Sequence, residues 1–157
     1  MVKTIEQKYK ELSEQEHVLL RPGMYVGSVK PELSTQFVFD YKEQMMVQKE
    51  VEYVPAILKL IDEIISNSTD EYRRPDNIGL TQISVTVMKD NTIVIEDNGG
   101  IPVVKHKEAG IMVPQLIFGR MRTSSNYNDD EDRSGLGTNG VGSSLTNIFS
   151  SYFGVMT

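Results

Sequence analysis

A long amphipathic segment at residues 54–73 constrains the fold more than any other part of the sequence. Pro55 lies in its first turn, where a missing backbone N–H is tolerated, and Pro75 follows its end. Its apolar residues recur at helical spacing and form one stripe, which consists of Val54, Ile57, Leu58, Ile61, Ile64 and Ile65. We therefore predict one long helix with an apolar face turned toward a core.

Shorter segments on either side of this helix supply the other predicted elements. Alternating apolar residues are typical of strands and occur at 36–40, 47–53, 82–89, 92–97 and 151–157. Further helices are predicted at 8–20, 113–120 and 142–150. Asp90 and Asn91 separate the third strand from the fourth and predict a two-residue hairpin turn. Together these elements predict an α+β fold with a sheet on one side and helices on the other.

Composition limits the kinds of site that the chain could contain. Its 157 residues predict a single domain, without a signal segment or an apolar run long enough to span a membrane. The lack of cysteine and the presence of only 2 histidines exclude disulfides, thiolate metal sites and a zinc cage. A net charge of −6 makes the surface a poor match for DNA. We expect a cytoplasmic protein without a membrane partner.

Three polar residues share one face of the long helix, opposite the apolar stripe. Glu63, Asn67 and Asp70 are spaced i, i+4 and i+7, which places them within about 60° of one another. One interpretation is a solvated face. The other is a hydrolytic site, in which the Asn67 amide oxygen binds Mg²⁺ and the Glu63 carboxylate deprotonates a water molecule.

An acid at the end of a predicted strand forms the second candidate group. Asp97 is followed by Asn98 and by a turn that contains Gly99 and Gly100. A carboxylate in this place can accept a hydrogen bond from an exocyclic amine such as adenine N6. The alternative is an ordinary Asp-Asn-Gly turn without a ligand.

A glycine-rich loop at residues 135–142 forms the third group. Its glycines allow close approach of an anion, and the helix that follows offers N-terminal N–H groups. The loop matches the dinucleotide pattern G-x-G-x-x-G, but that pattern requires a strand directly before it. The acidic run at 129–132 precedes it instead and indicates a solvated loop, and no P-loop motif is present. Phosphate binding and a flexible linker remain as interpretations.

Taken in order, the three groups resemble the nucleotide site of the GHKL ATPases, the superfamily of gyrase, Hsp90, histidine kinases and MutL. Residues 20–28, Leu-Arg-Pro-Gly-Met-Tyr-Val-Gly-Ser, are similar to the N-terminal signature of type IIA DNA topoisomerases. Residues 116–127 and 140–150 narrow the resemblance to the eukaryotic and T-even-phage branch. The resemblance covers nearly the whole chain.

This resemblance implies a Bergerat fold, a two-layer sandwich in which helices cover one face of a mixed β-sheet, with the C-terminal strands truncated. Residues 1–157 would form a single ATP-binding domain, with residues 1–20 as an N-terminal arm and residues 121–141 as an ATP lid. The resemblance also implies ATP and Mg²⁺ as cofactors.

The resemblance gives a role to each matching residue. Glu63 would be the general base for attack of water on the γ-phosphate, Asn67 would hold Mg²⁺, and Asp97 would bind adenine. The other residues would contact the nucleotide near its base and ribose (Asp70, Asn98), at its ribose from the lid (Ser124, Ser125, Asn126), at its phosphates (Asn139, Gly140, Val141, Gly142) or, across a dimer, from the arm (Tyr9).

For a full-length protein, the resemblance implies a homodimer that forms through the N-terminal arm. ATP would close the two domains into a gate for DNA strand passage, with the DNA bound by other domains. The mixture of eukaryotic and phage motifs predicts a phage protein in the cytoplasm of a bacterial host.

Two departures from the family pattern support a different function. Residues 97–102 are one residue short of the pattern Asp-Asn-Gly-x-Gly-Ile-Pro and lack its cation, and the C-terminal strands of the family pattern are missing after Thr157. In addition, Ser144 stands where the eukaryotic branch has a phosphate-binding lysine. The alternative is a truncated or degenerate module that binds a nucleotide or an inhibitor without turnover.

Overall fold

The central helix, α3, spans Pro55–Arg73 and begins after Val54, whose extended backbone forms the N-cap. The computed structural model describes residues 4–74, 79–123 and 140–157. The predicted extent of this helix is confirmed, and Pro75, which was expected to end it, lies outside the described residues. The other helices are α1 (Ile5–Lys8), α2 (Glu14–Leu20), α4 (Val113–Gly119) and α5 (Gly142–Phe149).

The burial of α3 differs from the prediction. Ile57 and Leu58 are 54% and 58% exposed, whereas Ala56, Ser68 and Asp70 are buried. The predicted burial of the apolar stripe is therefore wrong at its N-terminal end. Periodicity shows which face of a helix is apolar, but a neighbouring element must cover that face before it leaves water. Here Ala56 packs into the core and the Ser68 hydroxyl bonds Asp97, so the neighbouring elements cover parts of the helix other than Ile57 and Leu58.

The N-terminal arm contains two helices where the sequence predicts one at 8–20. Helix α1 ends at Lys8, and α2 begins only at Glu14. The prediction of a single helix is wrong because Ser13 starts a new one. Its hydroxyl accepts the N–H of Glu16, and the Glu16 carboxylate accepts the N–H of Ser13, which together form a capping box.

The strands form two antiparallel pairs, β1 (Glu32–Asp40) with β2 (Met45–Tyr53), and β3 (Ile83–Val87) with β4 (Ile93–Asp97). The two pairs are separate sheets, and no strand of the described residues pairs in parallel. The structure has no strand at residues 151–157, all of which it describes, so the prediction of one there is wrong. That segment meets the rest through a side chain rather than a backbone ladder, since the Thr157 hydroxyl accepts the N–H of Ile101 at 3.0 Å.

The turn between β3 and β4 has three residues, so the predicted two-residue turn is wrong. Met88 still pairs with Thr92, because its N–H donates to the Thr92 carbonyl at 2.8 Å. Asn91 takes the left-handed conformation, with φ of 67°, that a three-residue hairpin loop requires at its last position. Asparagine tolerates this conformation better than most residues, so the same residue fits both turns.

The hydrophobic core lies between α2, α3 and α5. Its buried members are Val18, Val26, Ala56 and Leu145. A 3₁₀ turn at Pro22–Met24 brings the chain from α2 back to this cluster. The core therefore joins the N-terminal arm to the two helices that carry the predicted site.

Helix α5 is fixed by polar contacts as well as by the core. The Thr146 hydroxyl donates to the carbonyl of Leu60 in α3 at 3.1 Å, and the Asn147 amide donates to the carbonyl of Phe118 in α4 at 2.9 Å. The first contact joins α5 to α3, and the second joins it to α4. Within the described ranges, no helix has the length and apolar character that crossing a membrane requires.

Candidate active site

Glu63 lies where α3 meets the first residue of α5. A Cβ atom on Gly142 would overlap the Glu63 carboxylate and would lie 2.7 Å from its carboxyl carbon, so this approach requires glycine. Lys59, one turn earlier in α3, holds Glu63 Oε1 with its ammonium group at 2.6 Å. This hydrogen bond raises the pKa of Lys59 above its ordinary value. One oxygen of the carboxylate thus lies on a cation and the other beside the N-terminus of α5.

Asn67 contacts the next residue of α5. Its amide Nδ2 donates to the Ser143 hydroxyl at 2.6 Å. The other polar atom of this side chain is the amide oxygen, a ligand that Mg²⁺ accepts together with phosphate oxygens and water. The Asn67 amide oxygen therefore fits as the protein ligand of a magnesium ion that is bound with a nucleotide. The described residues hold no group of three His, Cys, Asp or Glu that could bind a metal ion.

Asp97 is held at the end of β4 by contacts to both carboxylate oxygens. Oδ2 accepts the Ser68 hydroxyl at 2.6 Å, and Oδ1 accepts the N–H of Gly99 at 2.9 Å. Gly99 is also tightly packed, since a Cβ atom there would lie 2.9 Å from Leu80 Cδ1. The turn after β4 and the helix α3 together orient this carboxylate.

Asp70 and Asn98 occupy different surroundings. Asp70 is buried on α3, two residues beyond Ser68. The Asn98 amide oxygen accepts the N–H groups of Thr81 and Gln82 at 2.8 and 2.9 Å, and its Nδ2 donates to the Thr81 hydroxyl at 3.0 Å. Asn98 therefore fixes the residues that lead into β3, and its contact with a nucleotide stays a prediction.

The remaining predicted residues lie around or beyond this group. Gly140 has a φ of 59° and accepts the N–H of Thr123 at 2.9 Å, and Val141 is the N-cap of α5. Tyr9 is 69% exposed in the arm, with the ammonium group of Lys8 at 5.2 Å from its ring centre. Four predicted residues, Ser124, Ser125, Asn126 and Asn139, lie outside the described residues.

Comparisons with known proteins show what this chain is similar to. DNA topoisomerase 2 of Drosophila melanogaster is 43% identical over 154 residues, and DNA topoisomerase 2-beta of Homo sapiens is 45% identical over 156 residues. Each alignment covers 98% of this chain. The ATPase region of Saccharomyces cerevisiae topoisomerase II superposes with a TM-score of 0.85 and 39% identity over 92% of this chain. The chain is homologous to the ATPase region of type II DNA topoisomerases.

A second topoisomerase II structure agrees with the predicted α+β fold. The ATPase and transducer domains of the Balamuthia mandrillaris enzyme match with a TM-score of 0.87 and 43% identity over 94% of this chain. This chain covers 38% of each of the two solved chains, and 11% and 9% of the Drosophila and human proteins. No family model matches it. The relatives compared are eukaryotic, and a phage origin stays a prediction.

Three residues of this topoisomerase II homologue were not singled out from the sequence. Ser68 and Ser143 each bond a predicted site residue, and Lys59 pairs with Glu63. The spacing of Lys59 and Glu63, i and i+4 on one helix, is a signal that could have indicated their contact. The two serine contacts join residues 76 and 29 positions apart, and no local pattern indicates them.

Two surface clefts in the described part of the topoisomerase II homologue lie apart from this group. One, of about 370 Å³, is lined by Lys10, Leu12, Glu14, His17, Tyr25 and Arg122. The other, of about 560 Å³, is lined by Glu14, Gln15, Gly119, Arg120, Met121, Asn147, Ile148 and Ser150. Neither includes Glu63, Asn67 or Asp97. We therefore define the candidate site by its polar contacts and not by a cavity.

Proposed function

We propose that the chain is the ATP-binding and ATP-hydrolysing module of a type II DNA topoisomerase. One observation carries the proposal: three residues within two turns of α3 contact the elements that a nucleotide would need. Glu63 lies beside Gly142, Asn67 bonds Ser143, and Ser68 bonds Asp97. The phosphate end of the site would lie at Glu63 and the base end at Ser68. These residues are five positions apart, which at the helical rise of about 1.5 Å per residue is about 7.5 Å along α3.

Glu63 is the general base in this proposal. Its carboxylate lies against the N-terminus of α5, where backbone N–H groups without intrahelical partners attract the phosphates. A water molecule next to the carboxylate would lose its proton to Glu63 as it attacks the γ-phosphate. Lys59 holds the other carboxylate oxygen and keeps the side chain in one orientation. Mg²⁺, when bound at Asn67, would neutralise charge on the phosphates.

The roles that reach beyond this chain are part of the same proposal. In the full-length protein, Tyr9 and the rest of the arm would contact the second subunit of a homodimer, and other domains would bind DNA. ATP binding would close the two domains for strand passage. Ser124, Ser125, Asn126 and Asn139 would complete the contacts to ribose and phosphates, and the protein would act in the cytoplasm.

A nucleotide- or inhibitor-binding module without turnover is the second candidate. Ser144, which replaces the expected lysine, is buried and donates its hydroxyl to the Val141 carbonyl at 2.9 Å, so it brings no charge to the phosphates. Loss of one such stabilising group typically lowers a rate about 10²–10³-fold. The yeast topoisomerase II ATPase region has also been solved bound to the inhibitor ICRF-187 (dexrazoxane), which is consistent with ligand binding by this region.

Calorimetric titration of the full chain with a non-hydrolysable ATP analogue, with and without Mg²⁺, tests the proposal. We expect saturable, Mg²⁺-dependent binding that weakens in Asn67→Ala. Glu63→Gln should retain binding and lose ATP hydrolysis, because it removes only the base. Glu71→Gln is the matched control, since Glu71 lies on the same helix and pairs with Arg74. Absence of saturable binding would contradict the proposal, and binding with no hydrolysis to lose would favour the second candidate.

A further inference from the structure

The contact between Ser68 and Asp97 joins the central helix to the end of β4. Ser68 is 7% exposed, and its hydroxyl donates to Asp97 Oδ2 at 2.6 Å. This distance is within the range for a hydroxyl that donates to an ionised carboxylate. The second oxygen, Oδ1, accepts the N–H of Gly99 at 2.9 Å. The carboxylate is therefore fixed from the helix on one side and from its own turn on the other.

These bonds also determine which hydrogen-bonding groups face a ligand. An ionised carboxylate can only accept, and the single hydroxyl hydrogen of Ser68 is already donated to it. The lone pairs that remain on Ser68 Oγ and on the Asp97 oxygens are all acceptors. Such a site complements the exocyclic amine of adenine, which donates. In the same ring orientation it opposes the O6 carbonyl of guanine, which would meet acceptors without a hydrogen between them, so guanine could offer its N1–H and 2-amino donors only after a shift within the site.

We propose that Ser68 is a positioning residue that orients Asp97 and thereby sets the preference of the site for adenine over guanine nucleotides. The inference rests on the proposed function, because it requires Asp97 to lie at the base end of a nucleotide site. Without the hydroxyl, the carboxylate keeps the bond from Gly99 but loses its second anchor, and it can rotate away from the position that the amine needs.

Titration of the full chain with ADP and with GDP tests this inference, in the unmodified protein and in Ser68→Ala. We expect ADP to bind about tenfold more weakly in the variant, while the GDP affinity changes less than about twofold, because the bond from the base amine to the oriented Asp97 carboxylate forms only in the adenine complex. The ratio of the two affinities should therefore fall. Ser66→Ala is the matched control. It removes a serine hydroxyl from the same helix, whereas the bond to Asp97 comes from Ser68.

A second measurement, made without nucleotide, tests whether Ser68 acts through Asp97. The free energies of unfolding of Ser68→Ala, Asp97→Asn and the double variant form a cycle, and a non-additive result supports direct coupling of the two side chains. An unchanged ADP-to-GDP ratio in Ser68→Ala, whether both affinities fall equally or neither falls, would overturn the inference and leave the proposed function intact. Equal falls would indicate a merely structural role. Failure of the unmodified chain to bind either nucleotide would overturn the proposed function itself.

Discussion

At the scale of single residues, the candidate site depends on small side chains that permit close contact. Gly142 lets the Glu63 carboxylate reach the N-terminus of α5, and Ser143 and Ser68 are short enough to bond Asn67 and Asp97 directly. A larger residue at any of these positions would separate α3 from its neighbour. The charged and amide groups supply the chemistry, and the small residues determine where those groups lie.

Gly142→Ala should displace Glu63 and also place a Cβ atom at the N-terminus of α5, where the proposal puts the phosphates, and it should therefore weaken nucleotide binding. The added Cβ would overlap the carboxylate, which is the flexible end of its side chain and can rotate away at the expense of its pair with Lys59. We expect the affinity for a non-hydrolysable ATP analogue to fall about tenfold or more, measured by calorimetry. Gly119→Ala is the control, because no atom lies within 4 Å of the Cβ that it would add. Equal affinities in the two variants would contradict the prediction.

The positions of the candidate site residues on a helix face or at a strand end could be predicted from the sequence, whereas the contacts that hold them could not, and their roles at a nucleotide stay predictions. Glu63 and Asn67 follow from helical spacing, and Asp97 follows from a strand that ends in a glycine turn. Ser68 and Ser143 act across the fold, so their partners depend on how helices and strands pack. Serine side chains also hydrogen-bond the neighbouring backbone in helices and turns, so a serine in the sequence does not by itself indicate a contact with a distant residue.

At the scale of elements, the spacing of apolar residues predicted the positions of helices and strands better than it predicted their ends or their pairing. The extent of α3 follows from its periodicity and from Pro55, which fits a first turn. The capping box at Ser13 sets the start of α2 at Glu14, so the arm does not form the single helix that periodicity would begin at residue 8. The exposure of Ile57 and Leu58 shows the same limit, since an apolar face is buried only where another element packs on it.

The β1–β2 hairpin should lose stability in acid through Asp40. Its carboxylate accepts the Lys49 ammonium at 2.7 Å, and this bond, with the N–H groups of Lys42 and Glu43, holds the pKa of Asp40 below its ordinary value. Because the folded pKa is lowered, the contribution is complete above the ordinary value near pH 4 and is lost as the pH falls through the lowered one. The free energy of unfolding, followed from pH 6 down to about pH 2, should therefore decline less in Asp40→Asn.

The matched control for this hairpin is Glu43→Gln. Glu43 lies in the same loop, and its backbone N–H, rather than its carboxylate, bonds Asp40. The variant should keep the acid dependence of the unmodified protein. If Asp40→Asn and Glu43→Gln declined equally with falling pH, the bond to Lys49 would not be the source of the effect.

At the scale of the whole molecule, one small core unites the arm with both helices of the site. Val18 comes from α2, Ala56 from α3 and Leu145 from α5, and Val26 follows the 3₁₀ turn. The resemblance to the GHKL ATPases predicted the α+β architecture, and the topoisomerase II structures agree with it. Which residues form this core could not be predicted from one sequence, because α5 is short and the long apolar stripe of α3 appeared to be the better candidate.

Leu145→Ala should destabilise the whole chain and not α5 alone. Leu145 is 2% exposed among residues of all three helices, and truncation of a buried leucine typically costs about 2–5 kcal/mol in the free energy of unfolding. Leu58→Ala is the control, because Leu58 is 58% exposed and should lose less than about 1 kcal/mol. Urea denaturation measures both values. A loss from Leu145→Ala no larger than that from Leu58→Ala would show that this cluster is not the core that positions the site.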